Sequence, residues 1–285
     1  MLTRTQLITR PVIHEDLPKL ANLIHFEGYV HRHLDYRPPL DWIGRSPFCV
    51  LERYGEIIAT LACPPDPPSV AWLRLFAVSN HISVEKAWDA TWSYAYEQLV
   101  NEYEHIWIAA IPMHTWFARL LEKSFFEKSH SVILLRWEGS TPPDKQGHPY
   151  ASIRPMNFDD LEAVVEIDHA AFIPVWQNSL AYLEYSFRQA VIASVAEAGG
   201  KVVGYQISTA TPLGGHLARL AVHPSLQGKG IGYSLLHDLL SQLIMRGNRT
   251  VTVNTQKDNQ ASLNLYKKAG FQITGEEYPF YQLYI

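Results

Sequence analysis

Cysteine is scarce in this chain of 285 residues: Cys49 and Cys63 are the only two. Two thiols make neither a disulfide framework nor a four-cysteine zinc site. HExxH and CxxC spacings are missing; His31 and His33 stand two apart, and most of the thirteen histidines are read as surface or turn residues. The expectation is a metal-free protein with both thiols reduced. Long apolar runs are also missing: nothing reaches the roughly 18 consecutive apolar residues of a membrane helix. Residues 1–11 carry no apolar signal segment, so a cytoplasmic protein without a membrane partner is expected. Neither sign of charge dominates, and a net charge of −4 argues against a general nucleic-acid binder. What is present is an ordinary globular composition, 47% apolar and 18% charged. The length suggests two domains of about 100–200 residues each.

The chain contains itself twice. Thr9-Arg10-Pro11 followed by Glu15-Asp16-Leu17 returns as Ile153-Arg154-Pro155 followed by Asp159-Asp160-Leu161, at an offset of 144 residues. Leu75 to Val78 pairs with Arg219 to Val222 at the same offset, and LLEKSFF from Leu120 with LYKKAGF from Leu265 at 145. Three matches in one register describe a duplicated domain. The expected limits are 1–140 and 151–285, with the Pro/Gly-rich residues 141–150 as linker. Hairpins are expected through Tyr54-Gly55 and Gly199-Gly200, a continuous strand over 71–78, a helix over 84–100, and closing strands over 271–274 and 280–284. The stripe of Trp88, Trp92, Ala95, Tyr96 and Leu99 on that helix reads as core or interface in preference to a pocket lining.

The most informative stretch is HLARLAVHPSLQGKGIGY, His216 to Tyr233. An apolar strand runs to Val222, His223-Pro224 breaks it, and Gly228, Gly230 and Gly232 alternate where a helix begins. Side chains there would block close approach, whereas glycine exposes backbone N–H groups. The first turn of a helix adds unpaired donors and the positive end of the dipole, which together suit phosphate. Lys229 is misplaced for GxxxxGK[ST]. The GxGxxG spacing fails at Tyr233, and the next strand ends in Asn254 and Gln256 without the acidic residue a dinucleotide site needs.

Q-x-x-G-x-G after LAVHP resembles the GNAT superfamily of acyl-CoA N-acyltransferases, whose motif is [RQ]-x-x-G-x-[GA]. A second match follows: NQASLNLYKKAGF, Asn259 to Phe271, resembles the family's N-x-x-[SA]-x-x-[LF]-Y-x-[KR]-x-G-F. The resemblance covers residues 151–285 well and residues 1–140 as a degenerate copy. It implies an α+β (α/β) chain of two such domains, each a mixed, mostly antiparallel central sheet flanked by helices. It also implies acetyl-CoA as co-substrate, bound through Leu220, Ala221, Val222, Gln227, Gly228, Lys229, Gly230, Ile231, Gly232, Tyr233, Asn254 and Asn259. The Val222 N–H would face the oxyanion, and Tyr266 would donate its proton to the leaving thiolate. His216 stands where many relatives carry a glutamate, six residues before the valine, and could serve as the base near neutral pH. It could equally be a polar strand-start residue, with water relaying the proton. At the aligned positions of the three glycines, the first half has Val84, Lys86 and Trp88, and Leu121 replaces Tyr266. That copy is therefore expected to have lost coenzyme A binding.

The resemblance implies an N-acetyltransferase acting on a primary amine, either a small molecule or a protein N-terminus. Asp168, Glu184, Glu276 and Glu277 could attract such an amine or be solvated surface charge. The alternative is a non-catalytic acyl-CoA sensor or interaction protein, which needs the phosphate turn but no acid. Oligomeric state is left open, a monomer with pseudo-dimeric domains being one option.

Overall fold

The repeated Arg-Pro…Asp pattern builds the same joint twice in the computed structural model, which describes residues 7–144 and 151–285. Arg10 clasps Asp16 with two hydrogen bonds of 2.7 and 2.8 Å and reaches Glu52 at 2.6 Å. Arg154 clasps Asp160 at 2.8 Å twice and reaches Glu197 at 2.9 Å. Each aspartate also accepts the backbone N–H three residues before it, Ile13 and Asn157 respectively. In both places the guanidinium holds the carboxyl below the usual carboxylate range. A planar fork meeting a carboxylate fixes direction as well as distance, so each copy starts its first helix at a defined angle to its first strand.

Chain contacts divide the molecule into two compact units: residues up to Ser129 with Pro279–Ile285, and His130–Tyr278. The first contains β1 (Leu7–Pro11), α1 (Leu17–Phe26), β2 (Tyr29–Arg32), β3 (Phe48–Arg53), β4 (Glu56–Ala62), β5 (Val70–Trp72), β6 (Leu75–Val78), α2 (Val84–Glu102), β7 (Trp107–Ala110), α3 (Thr115–Lys123) and the start of β8 (Glu127–Glu138). The second holds the rest of β8 and β9 (Ala151–Pro155), α4 (Leu161–Ala171), α5 (Leu180–Gln189), β10 (Ile192–Ala198), β11 (Lys201–Thr211), β12 (Gly214–Val222), α6 (Ile231–Met245), β13 (Thr250–Gln256), α7 (Gln260–Lys268) and most of β14 (Gln272–Tyr284). The unit limits depart from the expected 1–140 and 151–285 because closing strands are exchanged along the chain. Val132–Glu138 pairs with β13 inside the second unit, and Tyr281–Tyr284 pairs with β7 inside the first. The two closing strands expected over 271–274 and 280–284 are one continuous strand. Of the expected linker, residues 145–150 lie outside the described residues.

In the second unit the order is β9-β10-β11-β12-β13-β8, antiparallel throughout except for β12 with β13. Helix α6 lays Leu235, Leu236, Leu239, Leu240 and Leu243, all buried, on one face of this sheet. Burying five leucines contributes on the order of 1.5–3 kcal/mol each before entropy is subtracted. Helices α4 and α5 pack on β11, and α4 also on β12.

In the first unit the main sheet runs β1-β3-β4-β6-β2. The expected continuous strand over 71–78 is broken at Leu73 and Arg74, giving β5 and β6 different neighbours. The stripe is core except at Tyr96, which is exposed: Trp88 stacks on Trp92 at 5.4 Å and meets Phe76 edge-on at 5.2 Å.

Candidate active site

Strands β12 and β13 pair only from Gly215 to Leu217. Beyond that point β12 continues to Val222 with β11 on one side and, among the described residues, no partner strand on the other. The His223 N–H goes to the Val203 carbonyl on the β11 side. Strand alternation then turns the N–H groups of Leu220 and Val222 to the open edge. There they face a cavity of about 480 Å³ lined by Leu220, Ala221, Val222, Gln227, Gly228 and Gly230 to Tyr233, with Asn259, Ser262 and Lys268 opposite.

The turn that follows is built to expose amides. Gly228 and Gly230 adopt φ of 75° and 87°, left-handed values that strain residues with a Cβ. No side chain caps α6, so its first-turn N–H groups are free at the cavity. Gln227 braces the turn by donating to the Val222 carbonyl at 3.0 Å. A free helix start, an unpaired strand edge and the lining Lys268 together match a long ligand with amides at one end and phosphates at the other.

Most of the residues singled out in the sequence meet at this cavity; Lys229, Asn254, His216 and Tyr266 are outside its lining. Asn254 is an exposed residue of β13 paired with Leu134 of β8. Asn259 lines the cavity but spends its side-chain oxygen capping α7, accepting from the Ser262 N–H at 3.1 Å. Tyr266 is packed beneath it, 5% exposed, with its ring 5.6 Å from that of Phe271. Burial pushes its phenol above the ordinary value, with the Arg219 charge opposing, so it carries its proton at neutral pH.

His216 is half-buried on the face opposite α6. A Cβ on Gly215 would strike Leu243, and Leu217 joins the α6 core, so the residue between them points the other way. Its Nδ1 lies 2.9 Å from the Thr252 hydroxyl, and burial lowers its pKa below the ordinary histidine value. It is therefore neutral at pH 7, the form a base requires.

Two residues escaped the sequence reading. Lys268 presents its ammonium at the cavity, 5.1 Å from the Tyr233 ring. Arg219 is turned to the α4 face by a β-bulge: Ile207 pairs with Arg219 but Ser208 with Leu217, leaving Ala218 extra. A bulge shifts the alternation of every later residue, and nothing in the apolar pattern announces it. The acidic residues considered as amine attractors are engaged elsewhere. Asp168 is fully buried against Arg219, Glu184 lies 3.8 Å from Arg188, Glu276 accepts from Tyr278, and Glu277 pairs with Lys257.

The corresponding place in the first unit is closed. Strand β2 pairs with β6, Tyr29 against Val78 through Arg32 against Leu75, while β4 holds the other edge. His31 seals the strand break, its Nε2 3.1 Å from the Leu73 carbonyl and its ring stacked on Phe117 at 4.0 Å. The turn itself is shorter: residues 79–83 separate β6 from α2, against 223–230 between β12 and α6. Val84, Lys86 and Trp88 thus lie inside α2, and the Ser83 side chain caps that helix at Lys86. The glycines are removed with their turn instead of being replaced within it.

Residues 161–271 match the acetyltransferase (GNAT) family. Among solved structures, the chain is similar to a GCN5-related N-acetyltransferase from Sphaerobacter thermophilus, at 16% identity and a TM-score of 0.65, covering 98% of this chain and 95% of that one. It is similar to a tandem GNAT protein from the clavulanic acid biosynthesis pathway, at 14% identity and a TM-score of 0.68, covering 98% of each. A GCN5-related N-acetyltransferase from Kribbella flavida matches at 12% identity and 0.66, covering 98% of this chain and 71% of that one. At such identities the likeness is one of fold.

Proposed function

We propose that this chain, whose residues 161–271 match the acetyltransferase (GNAT) family, transfers the acetyl group of acetyl-CoA to a primary amine by direct attack, and that its first unit is a degenerate copy without a cofactor site. The observation that carries this reading is the open edge of β12 leading into the uncapped start of α6.

On this reading the residues take the following roles. The N–H groups of Leu220 and Val222 pair with the pantetheine amides, and that of Val222 also faces the oxygen on which charge builds. A fixed donor stabilises developing charge without reorganising. The amides of residues 228–232 and Lys268 hold the pyrophosphate. Tyr266, kept protonated by burial, gives its proton to sulfur as the thioester breaks. Neutral His216 takes the proton from the attacking amine. Holding amine and thioester together replaces a bimolecular encounter with a near-unimolecular one.

Thiol release measured over a panel of amines tests the reading. The expected result is release that depends on both acetyl-CoA and an amine. Binding of acetyl-CoA without turnover of any amine would favour the sensor instead.

A further inference from the structure

Arg219 is the least expected residue of the site, a half-buried guanidinium on β12, the strand with the open edge. Its Nε and Nη2 donate to one Asp168 carboxylate oxygen at 2.8 and 2.6 Å. Nη2 also donates to the Trp176 carbonyl at 2.5 Å. Its Cζ lies over the Phe172 ring, 3.6 Å from the ring centre, and Phe172 lines the cavity. Asp168, at the end of α4, accepts at the same oxygen from the Tyr205 hydroxyl at 2.5 Å, and at its other oxygen from the Asn178 N–H at 2.8 Å. The segment from Phe172 to Asn178 is thus tied at its start by stacking, at Trp176 by Arg219 and at its end by Asp168. Gln177 closes the loop on itself, donating to the carbonyls of His169 and Phe172 at 3.0 and 2.9 Å. His169 Nε2 is 2.9 Å from the Asn178 carbonyl.

Burying an ion pair inside a domain costs desolvation that its mutual attraction scarcely repays, so such a pair is weak evidence for stability alone. It is better evidence for fixed geometry. The bulge at Ala218 sets Arg219 on the same face as His216, next in the chain to the Leu220 edge. The clamped loop starts at the cavity wall with Ala171 and Phe172.

We propose that Arg219 and Asp168 form a clamp that registers residues 172–178 against the cofactor edge of β12, making Arg219 a positioning residue for the acceptor amine. The proposal rests on the acetyltransferase reading for its kinetic consequence, but not for its structural one. A loop held from both strand and helix presents the amine at one distance from the thioester. An error of about 1 Å in such placement is worth up to about 10²-fold in rate.

The test uses the full chain with Arg219→Lys, which keeps the charge facing Asp168 but lacks the planar fork and the stacking surface. The doubly neutral D168N/R219Q avoids a stranded buried charge. Hydrogen–deuterium exchange reads the loop without any substrate. The expected result is faster exchange confined to residues 172–178 in both variants, with α6 and β11 as in the parent. Acetyl-CoA affinity by calorimetry should stay within about 2-fold, while KM for the amine rises about 10-fold or more and the variant transfers less. Unchanged exchange at 172–178 overturns the clamp. A fall in acetyl-CoA affinity equal to the loss for the amine overturns the positioning role and leaves a structural one. Wild-type chain that binds acetyl-CoA but turns over no amine defeats the enzyme reading, and the exchange data still decide the clamp.

Discussion

The two units share a strand, an ion-pair joint and a helix, yet one ends in an opening and the other in a seal. In the second, β12 leaves β13 after Leu217 and no other described strand pairs along that edge. In the first, the matching residues Leu75–Val78 are covered by β2. The second turns into its helix over eight residues with two left-handed glycines; the first does so over five, with a serine cap. A binding site in this fold is therefore a place where backbone groups are left unpaired, and it can be abolished by pairing them. On the proposed reading of the first unit as a degenerate copy, losing the ligand site is a gain of ordinary hydrogen bonds, which is compatible with keeping the fold.

Breaking the open side should have the largest effect. Gly230→Trp places a large side chain at a left-handed φ of 87° on the cavity wall. Acetyl-CoA binding should vanish by calorimetry, from a parent stoichiometry of one per chain. Two equivalent sites in the parent would erase the distinction between the units, and undiminished binding by the variant would move the anion site elsewhere.

Next comes Tyr266→Phe, which keeps the ring in the core and removes the hydroxyl. The first unit has Leu121 at the aligned position, so the proposed acid has no counterpart there. Turnover should fall toward the low end of about 10²–10⁴-fold, because a thiolate is already a fair leaving group. Affinity for acetyl-CoA should be nearly unchanged, since the hydroxyl matters as charge builds on sulfur. Parent and variant rates that coincide when chemistry is limiting would remove Tyr266 from the mechanism.

The pH dependence separates the units. His216 has a lowered pKa through burial, so the acidic limb of kcat should fall below pH 6.5 and be lost with His216→Ala. A limb above 6.5 in the parent would contradict the neutral base. In the first unit, burial lowers His31 to about 4. The unfolded chain binds that proton more readily, so stability is full above about pH 6.5 and is lost as pH falls toward 4. Thermal unfolding followed between those values should show the loss, and His31→Gln should flatten it.

The smallest effect is expected from Ser83→Ala, which removes a helix cap that α6 does without. Such caps are worth about 0.5–2 kcal/mol, and the 3.4 Å bond to Lys86 suggests the lower part of that range. A denaturant midpoint that does not move would show the closed turn to be held by β2 alone.

What could be read in the sequence was local. The glycine turn, both hairpins, the duplicated Arg-Pro…Asp joint and the Asn259–Phe271 segment are short patterns whose chemistry acts over a few residues. What escaped it depended on partners far along the chain. The bulge at Ala218 is a register mismatch between two strands, so Arg219 looked like an interruption in an apolar run. Strand β2 is four residues long, and its pairing with β6 has no periodic signal. The aligned offset of 144 set Val84, Lys86 and Trp88 against the glycines, whereas a shortened turn put them inside a helix. Asp168 read as a candidate amine attractor because its partner lies fifty-one residues away.

The exchanged closing strands have a consequence for biosynthesis. A ribosome finishes residues 7–129 early, but Tyr281–Tyr284, which pair with β7, are translated only after the whole second unit. The earlier-made half must wait, with β7 unpaired along that edge, until the later half has been spun out. Cutting the message short by a few codons would thus injure the half that was made first, and the half made last would be spared.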